Sequence, residues 1–351
     1  MVIITCPYQL LFAIRSILAT RSTIVVIVSN IFPKPFVRIL IMLKQTLFLT
    51  CLVLVITTVA AQTTGQRYKD ILFKKVTVDK DQTYYPEAPE EVKKSYLFDL
   101  YQPEGDQEQG RPLIIWMHGG GFKFGSKRAK GVRLWSKTFA QRGYVCASIN
   151  YRLSKHNPLF HFDELLKSSF YAVQDAKRAV AYFRENAAKY GIDPDKIILG
   201  GNSAGGFMAL DAVYSRNEDF GHMANVPDAD IKNEGMPNEP VYAIINYWGG
   251  IYNLEWLNNS KTPIISVHGS KDGLVPITHK TAPLHGSLDI KNKADELHIP
   301  NTLKIYEGYS HELQKHFNPL YEGASAKKRW LEAAQFTADY LYGMMHNEGG
   351  R

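Results

Sequence analysis

Lys196-Ile197-Ile198-Leu199-Gly200-Gly201-Asn202-Ser203-Ala204-Gly205-Gly206-Phe207-Met208-Ala209-Leu210 is the stretch that decides the fold. Lys196 to Gly200 is a short β-branched apolar run, the pattern of a buried strand. From Gly206 to Val213 the pattern suits a helix. Between them lies Gly201-Asn202-Ser203-Ala204-Gly205, a Gly-x-Ser-x-Gly pentapeptide. A serine on so sharp a strand-to-helix turn is pushed outward, and the flanking glycines are needed where a Cβ would clash. The context predicts Ser203 as a nucleophile. The competing reading is an ordinary helix N-cap serine.

Outward from this point, strand-like and helix-like segments alternate. Strands are expected over 71–78, 95–101, 113–117, 144–150, 196–200, 241–246, 262–267 and 302–307, and helices over 132–142, 165–189, 204–215, 281–297 and 325–343. This is the βαβ signature of a mostly parallel, doubly wound sheet. The runs Leu113-Ile114-Ile115-Trp116-Met117 and Pro263-Ile264-Ile265-Ser266-Val267 are near-continuously apolar, as burial on both faces demands. The expected architecture is a single α/β domain over 62–351, an eight-stranded sheet flanked by helices with little or no cap. Segment 62–94 is too short and polar for a helical cap, and 247–261 too short for a lid. The stretch 214–240, rich in Asn, Asp, Pro and Gly, has the composition of a modest flap. An open site follows, suited to bulky or polymer-attached substrates.

A serine hydroxyl needs a base to take its proton, and the base needs an orienting acid. Parallel α/β sheets place such groups in loops at the C-terminal ends of strands. Strand 262–267 is followed by His268-Gly269-Ser270-Lys271-Asp272-Gly273, which offers Asp272. Strand 302–307 is followed by Gly308-Tyr309-Ser310-His311-Glu312, which offers His311. Two separate loops thus supply the two missing residue types. The plainer readings are a turn aspartate at Asp272 and a surface histidine at His311. His316 is the nearest rival base, although no strand end positions it, and Asp289 and Asp295 are alternative acids in a helix-like segment. His311 and His316 are spaced i, i+5, whereas two zinc ligands on one helical face need i, i+4, so no zinc motif is read here.

An attacked carbonyl becomes an oxyanion that needs donors already in place. His118-Gly119-Gly120-Gly121-Phe122 follows strand 113–117, and its consecutive glycines let backbone N–H groups aim inward. Gly120, Gly121 and Ala204 are the expected oxyanion donors; a plain glycine turn is the alternative. His118 is expected to fix this loop through its ring.

With these motifs the chain resembles the α/β-hydrolase superfamily, and within it the esterase/lipase group with an H-G-G-G oxyanion loop, the hormone-sensitive-lipase-like carboxylesterases. Asn150-Tyr151-Arg152-Leu153 and Gly191-Ile192-Asp193-Pro194-Asp195-Lys196 add to the likeness, which runs from about residue 95 to the C-terminus. The resemblance maps Ser203, Asp272 and His311 to a catalytic triad and Gly120, Gly121 and Ala204 to the oxyanion hole. There are departures. Asn202 stands where that group often has Asp, and Ser154-Lys155-His156 replaces its usual Ala-Pro-Glu. These departures and the missing cap look closer to compact exported esterases, including bacterial carbohydrate acetyl and feruloyl esterases.

The net charge of +7 does not point to nucleic acid, because residues 1–61 hold Arg15, Arg21, Lys34, Arg38 and Lys44 and no acid, leaving +2 for the remainder. That leader reads as a processing segment. Met42-Leu43-Lys44-Gln45 is a basic n-region, 46–58 an apolar h-region too short for a comfortable span, and Val59-Ala60-Ala61 a cleavage site before Gln62. Residues 1–41 read as an upstream extension, with an N-terminal membrane anchor as the alternative. A secreted or periplasmic location follows, with membrane contact only through the leader before cleavage. Cys6 and Cys51 lie in the leader, so Cys146 is left unpaired, in a strand pattern that marks it as core filler. Asn258-Asn259-Ser260 matches a glycosylation sequon.

The reading is an exported serine carboxylesterase acting on small-molecule or polymer-linked esters, short-chain acyl or carbohydrate-linked acetyl and feruloyl, with no metal or organic cofactor implied. An amidase, exopeptidase or arylformamidase on the same fold, a polyester or lipid hydrolase, and a catalytically inactive binding protein are the alternatives.

Overall fold

A computed structural model describes residues 65–280, 283–319 and 323–347, which fall in a compact unit that begins at Gly65. The leader features read in 1–61 lie outside the described residues.

Among the described residues the strands are β1 (Val76–Thr83), β2 (Leu97–Pro103), β3 (Arg111–Met117), β4 (Val145–Ile149), β5 (Ile192–Asn202), β6 (Ala243–Tyr247), β7 (Ile264–Gly269) and β8 (Asn301–Tyr306). They form one sheet in the order β1-β2-β4-β3-β5-β6-β7-β8. β2 is antiparallel to both β1 and β4, and every other pairing is parallel. This is the expected mostly parallel eight-stranded sheet. The residues of β3, β4, β6 and β7 are buried throughout, which is why their sequences are continuously apolar rather than alternating.

Helices cover both faces. They are α1 (Lys130–Ala140), α2 (Phe162–Glu185), α3 (Ala187–Tyr190), α4 (Ala204–Tyr214), α5 (Asn217–Met223), α6 (Asp228–Glu234), α7 (Ser287–Glu296) and α8 (Ala324–Asn347). One core gathers Phe170, Val173, Met208 and Leu210 from α2 and α4 against the sheet. The other gathers Trp135 of α1 and Trp330 of α8 on Trp116, Tyr247 and Trp248. Cys146 lies fully buried in this second layer, and burial pushes its thiol far above the usual range, so it packs as an inert apolar group.

Two expectations need correction. The first strand lies over Val76–Thr83 rather than 71–78. Leu72 and Phe73 instead donate their amides to the Gln141 carbonyl, each at 2.9 Å, so the apolar stretch is a strap along the end of α1. The segment 214–240 is not a free flap. It forms α5 and α6 and is tied down by Tyr171 to Asp230 (2.9 Å), Arg152 to Glu234 (2.9 Å) and the Met236 amide to Gln174 (2.8 Å).

Chain order along the sheet reverses at β3. From there the chain steps to β4 on one side and then to β5 on the other. The loops that follow β3 and β5 therefore meet at a topological switch point, where open α/β sheets form their sites.

Candidate active site

Ser203 sits between β5 and α4 with φ 53° and ψ −121°, a strained conformation for a residue with a side chain. Its amide donates to the Tyr247 carbonyl at 2.9 Å, and its carbonyl accepts from the Gly206 and Phe207 amides at 2.8 and 3.1 Å. The turn is closed so tightly that a Cβ on Gly205 would stand 2.1 Å from the Met117 carbonyl oxygen. Of the pentapeptide only Ser203 keeps partial solvent exposure.

The structure brings the other two expected residues to it. His311 Nε2 lies 3.0 Å from Ser203 Oγ, and His311 Nδ1 lies 2.7 Å from Asp272 Oδ2. The second carboxylate oxygen, Oδ1, accepts from the Leu274 and Val275 amides at 2.9 and 3.0 Å. Burial alone would raise the Asp272 pKa, but hydrogen bonds from His268 and His311 outweigh it and hold the carboxyl well below the usual range. Asp272 is therefore an ionised acceptor that faces the imidazole.

The two loops are lashed together. The Lys271 amide donates to the Tyr309 carbonyl at 2.9 Å, and the Gly308 amide to Ser270 Oγ at 2.9 Å. α8 pins the histidine loop from below, with Trp330 Nε1 donating to the Glu312 carbonyl (2.7 Å) and Arg329 Nε to the Leu313 carbonyl (2.6 Å). The rivals are engaged elsewhere. Asp289 accepts from the His279 amide (2.5 Å), and Asp295 pairs with Lys291 (2.5 Å) and Asn301 (2.8 Å). His316 is solvent-exposed and bonds to neither Ser203 nor Asp272.

Gly120 and Gly121 take φ of +120° and +58°, and a Cβ on Gly120 would stand 2.2 Å from the Phe124 carbonyl oxygen. Among the described residues neither glycine N–H is taken by another backbone group. Ala204 opens α4, so its N–H belongs to the unpaired first turn at the positive end of the helix dipole. The Gly119 amide donates to Asn202 Oδ1 at 3.2 Å, which ties the glycine loop to the elbow. An Asn oxygen fills that role as an Asp oxygen would.

His118 holds the loop rather than facing the serine. Its ring is buried, stacks on Tyr151 at 4.3 Å between centroids, and donates from Nδ1 to the Gly119 carbonyl at 2.7 Å. Burial pushes its pKa down to about 4, so it is neutral at physiological pH. Tyr151 OH donates to the His118 carbonyl at 2.7 Å. Arg152, next along, pairs with buried Asp175. The Asn150-Tyr151-Arg152-Leu153 motif is thus a brace behind the glycine loop.

Sequence reasoning assigns no role to His268, Ser287 or Asn246, which form a buried chain behind the acid. Gly249 N–H donates to Asn246 Oδ1 (3.0 Å), Asn246 Nδ2 to Ser287 Oγ (3.1 Å), and Ser287 Oγ bonds His268 Nδ1 (2.7 Å). His268 Nε2 then faces the Val275 carbonyl at 2.9 Å and Asp272 Oδ2 at 3.4 Å. The one available signal is a histidine at the end of a buried, largely apolar strand, four residues before the acid.

This sheet, with its strained strand-to-helix serine and its strand-end Asp and His, has the α/β-hydrolase fold. The BD-FAE family model matches residues 98–261, which run from β2 to the loop before β7. Esterase LipQ of Mycobacterium tuberculosis is 27% identical over 215 residues, 53% of this chain and 48% of that protein. The probable carboxylic ester hydrolase LipM of the same organism is 32% identical over 117 residues, 33% of this chain and 25% of that protein. The matched part is thus about half or less of these curated relatives. Thermogutta terrifontis esterase 2 phosphoramylated by tabun shares the fold, with a TM-score of 0.52 and 23% identity over 80% of this chain and 98% of that one. Esterase B from Lactobacillus rhamnosis, inhibited by a tributyrin phosphonate, does so with a TM-score of 0.52 and 16% identity over 88% and 99%.

Proposed function

We propose that this chain is a serine carboxylesterase. The observation that carries the reading is the continuous line Ser203 Oγ, His311, Asp272, with contacts of 3.0 and 2.7 Å. His311 Nε2 takes the Ser203 proton as Oγ attacks the ester carbonyl carbon. The carbonyl oxygen gains the negative charge and is received by the Gly120, Gly121 and Ala204 N–H groups. His311 then gives its proton to the departing alkoxide, leaving an acyl-serine. A water deprotonated by His311 attacks the acyl carbon and frees the acid and the serine. Asp272 fixes the imidazole tautomer and stabilises its cation.

Esterase names among the relatives support the reading, as does the partial exposure of Ser203, which suits short-chain or carbohydrate-linked acyl esters over long buried chains. Export is part of the proposal and rests on the basic n-region and apolar h-region after Met42. Mature protein beginning at Gln62 would support export, and an N-terminus upstream of Met42 would refute it.

The direct test pairs Ser203→Ala with wild type on p-nitrophenyl acetate and p-nitroacetanilide, alongside a fluorophosphonate probe. Wild type should hydrolyse the ester far faster than the anilide and label at Ser203, while Ser203→Ala should lose both properties. Retained ester turnover in Ser203→Ala would refute the mechanism. Faster anilide turnover in wild type would favour an amidase.

A further inference from the structure

Proton delivery fixes which side of the site receives which part of the substrate. In the proposed reaction the departing alkoxide must lie against His311 Nε2, so the alcohol part of the ester occupies the His311 side. Phe317 packs edge-on to the His311 ring, with centroids 5.1 Å apart. Phe317 also lines two cavities, of about 820 and 550 Å3, that share Lys315, His316 and Phe317. The smaller adds Lys271 and Ser310, and the larger adds Arg329. Among the described residues neither cavity is lined by an Asp or a Glu.

Lys271 and Lys315 form no ion pair among the described residues, whereas Lys196, Lys291 and Lys293 each hold a carboxylate. Both cavity lysines are exposed. The neighbouring acids in sequence, Glu307 and Glu312, line neither cavity, and Glu312 Oε2 accepts from Gln314 Nε2 at 3.3 Å. Arg329 is held in place by the Leu313 carbonyl and by its stacking over Tyr309 at 4.1 Å. A fixed guanidinium, two ammonium groups, a histidine and a serine hydroxyl thus surround space that begins one aromatic ring away from the base.

We infer that this cationic recess is a subsite for an anionic group on the alcohol part of the substrate. The preferred substrates are then esters whose alcohol part bears a carboxylate, sulfate or phosphate. The inference rests on the esterase reading above for the placement of the alcohol. It goes beyond that reading in the substrate class it selects. Lys271 and Lys315 act through charge, so the preference is sensitive to salt.

Two measurements test it. The first compares KM for 4-acetoxybenzoate and its neutral analogue 4-acetoxybenzamide, in wild type and in Lys271→Ala/Lys315→Ala. The carboxylate ester should show a KM about fivefold lower in wild type, the size expected of two solvent-accessible charge contacts. That ratio should fall toward one in the double variant and in about 0.5 M salt. The second measures binding of 4-hydroxybenzoate and 4-hydroxybenzamide to Ser203→Ala by NMR titration, which requires no turnover. The benzoate should bind several-fold more tightly, again only at low salt. Equal KM values, equal affinities, or a preference that survives the double variant would each overturn the inference. Failure of both esters to turn over would count against the esterase reading, and the titration would still decide this one.

Discussion

His268 offers the sharpest test of how the acid is held. Its ring is fully buried, and it bonds Ser287 Oγ at 2.7 Å and the Val275 carbonyl at 2.9 Å, with Asp272 Oδ2 further off at 3.4 Å. His268→Ala strips two buried polar groups of their partners, at about 1–3 kcal/mol each, and leaves a void the size of an imidazole. A loss of about 3–6 kcal/mol follows, a large part of the roughly 5–15 kcal/mol of a typical domain. The effect on turnover should be far smaller. Asp272 keeps His311 at 2.7 Å and the two amides at 2.9 and 3.0 Å, and gives up only the longest of its contacts. A tenfold fall in kcat, about 1.4 kcal/mol, is the expected ceiling.

Asp272→Asn makes the comparison decisive. It should cost on the order of 10⁴ in kcat, because the imidazole loses its tautomer and its counter-charge. The assays are urea unfolding for stability and p-nitrophenyl acetate turnover well below the unfolding transition. His268→Gln, which keeps an amide donor in the recess, serves as the variant expected to fold if His268→Ala does not. Should His268→Gln lose as much kcat as Asp272→Asn while remaining folded, the view that the loop amides hold the acid would be wrong. Unchanged stability in both His268 variants would equally refute the buried chain.

Other expectations follow from single contacts. Gly205→Ala should cost more than about 3 kcal/mol by urea unfolding, since its Cβ would press on backbone at 2.1 Å, where no flexible side chain can yield. Asn202→Ala should lower kcat by about tenfold or more with little change in KM, because the Gly119 amide loses its anchor at 3.2 Å and the oxyanion loop loosens. The His118 pKa, about 4 folded against 6.5 in a free chain, means that only the unfolded state binds a proton between those values. Its contribution to stability is full above pH 6.5 and falls as pH drops toward 4, by about 3 kcal/mol in total. His118→Asn should flatten that part of the acid-unfolding curve, and a curve unchanged in shape would show that the His118 ring titrates freely.

Segments buried on both faces are legible because burial leaves one pattern. β3, β4, β6 and β7 lie close to their expected bounds. β1 escapes such a reading because it is an edge strand. Its residues Thr77 to Asp81 are exposed, and the run Asp79-Lys80-Asp81-Gln82 carries no apolar alternation to read. A shift in register between Asp79 and Gln82 obscures it further. Apolar Ile71-Leu72-Phe73 supplies a stronger but misleading signal, because its place as a strap depends on hydrogen bonds to the distant Gln141. The helix expected over 281–297 is Ser287–Glu296, since Pro283 and Gly286 oppose an earlier start.

The same contrast separates the parts of the site. Ser203, Asp272 and His311 can be read because each follows a strand, and strand ends in a parallel sheet converge. The Asn246, Ser287 and His268 chain cannot, because its members come from the ends of two strands and the start of a helix, with no common spacing and no group that the chemistry calls for. Yet this chain joins the two halves of the site. A Cβ on Gly206, in the first turn after the nucleophile, would stand 2.6 Å from Asn246 Oδ1, and the chain's other end touches Asp272. The elbow and the acid loop are therefore set against one another through buried polar contacts as well as through the sheet. Such a link fixes geometry without presenting any group to the substrate, which explains why residues chosen by chemistry alone pass it over. It also means that substitutions at Ser287 or Asn246 should disturb stability and the Ser203–His311 alignment together, unlike the lysines at the cavity wall, which bear on substrate choice.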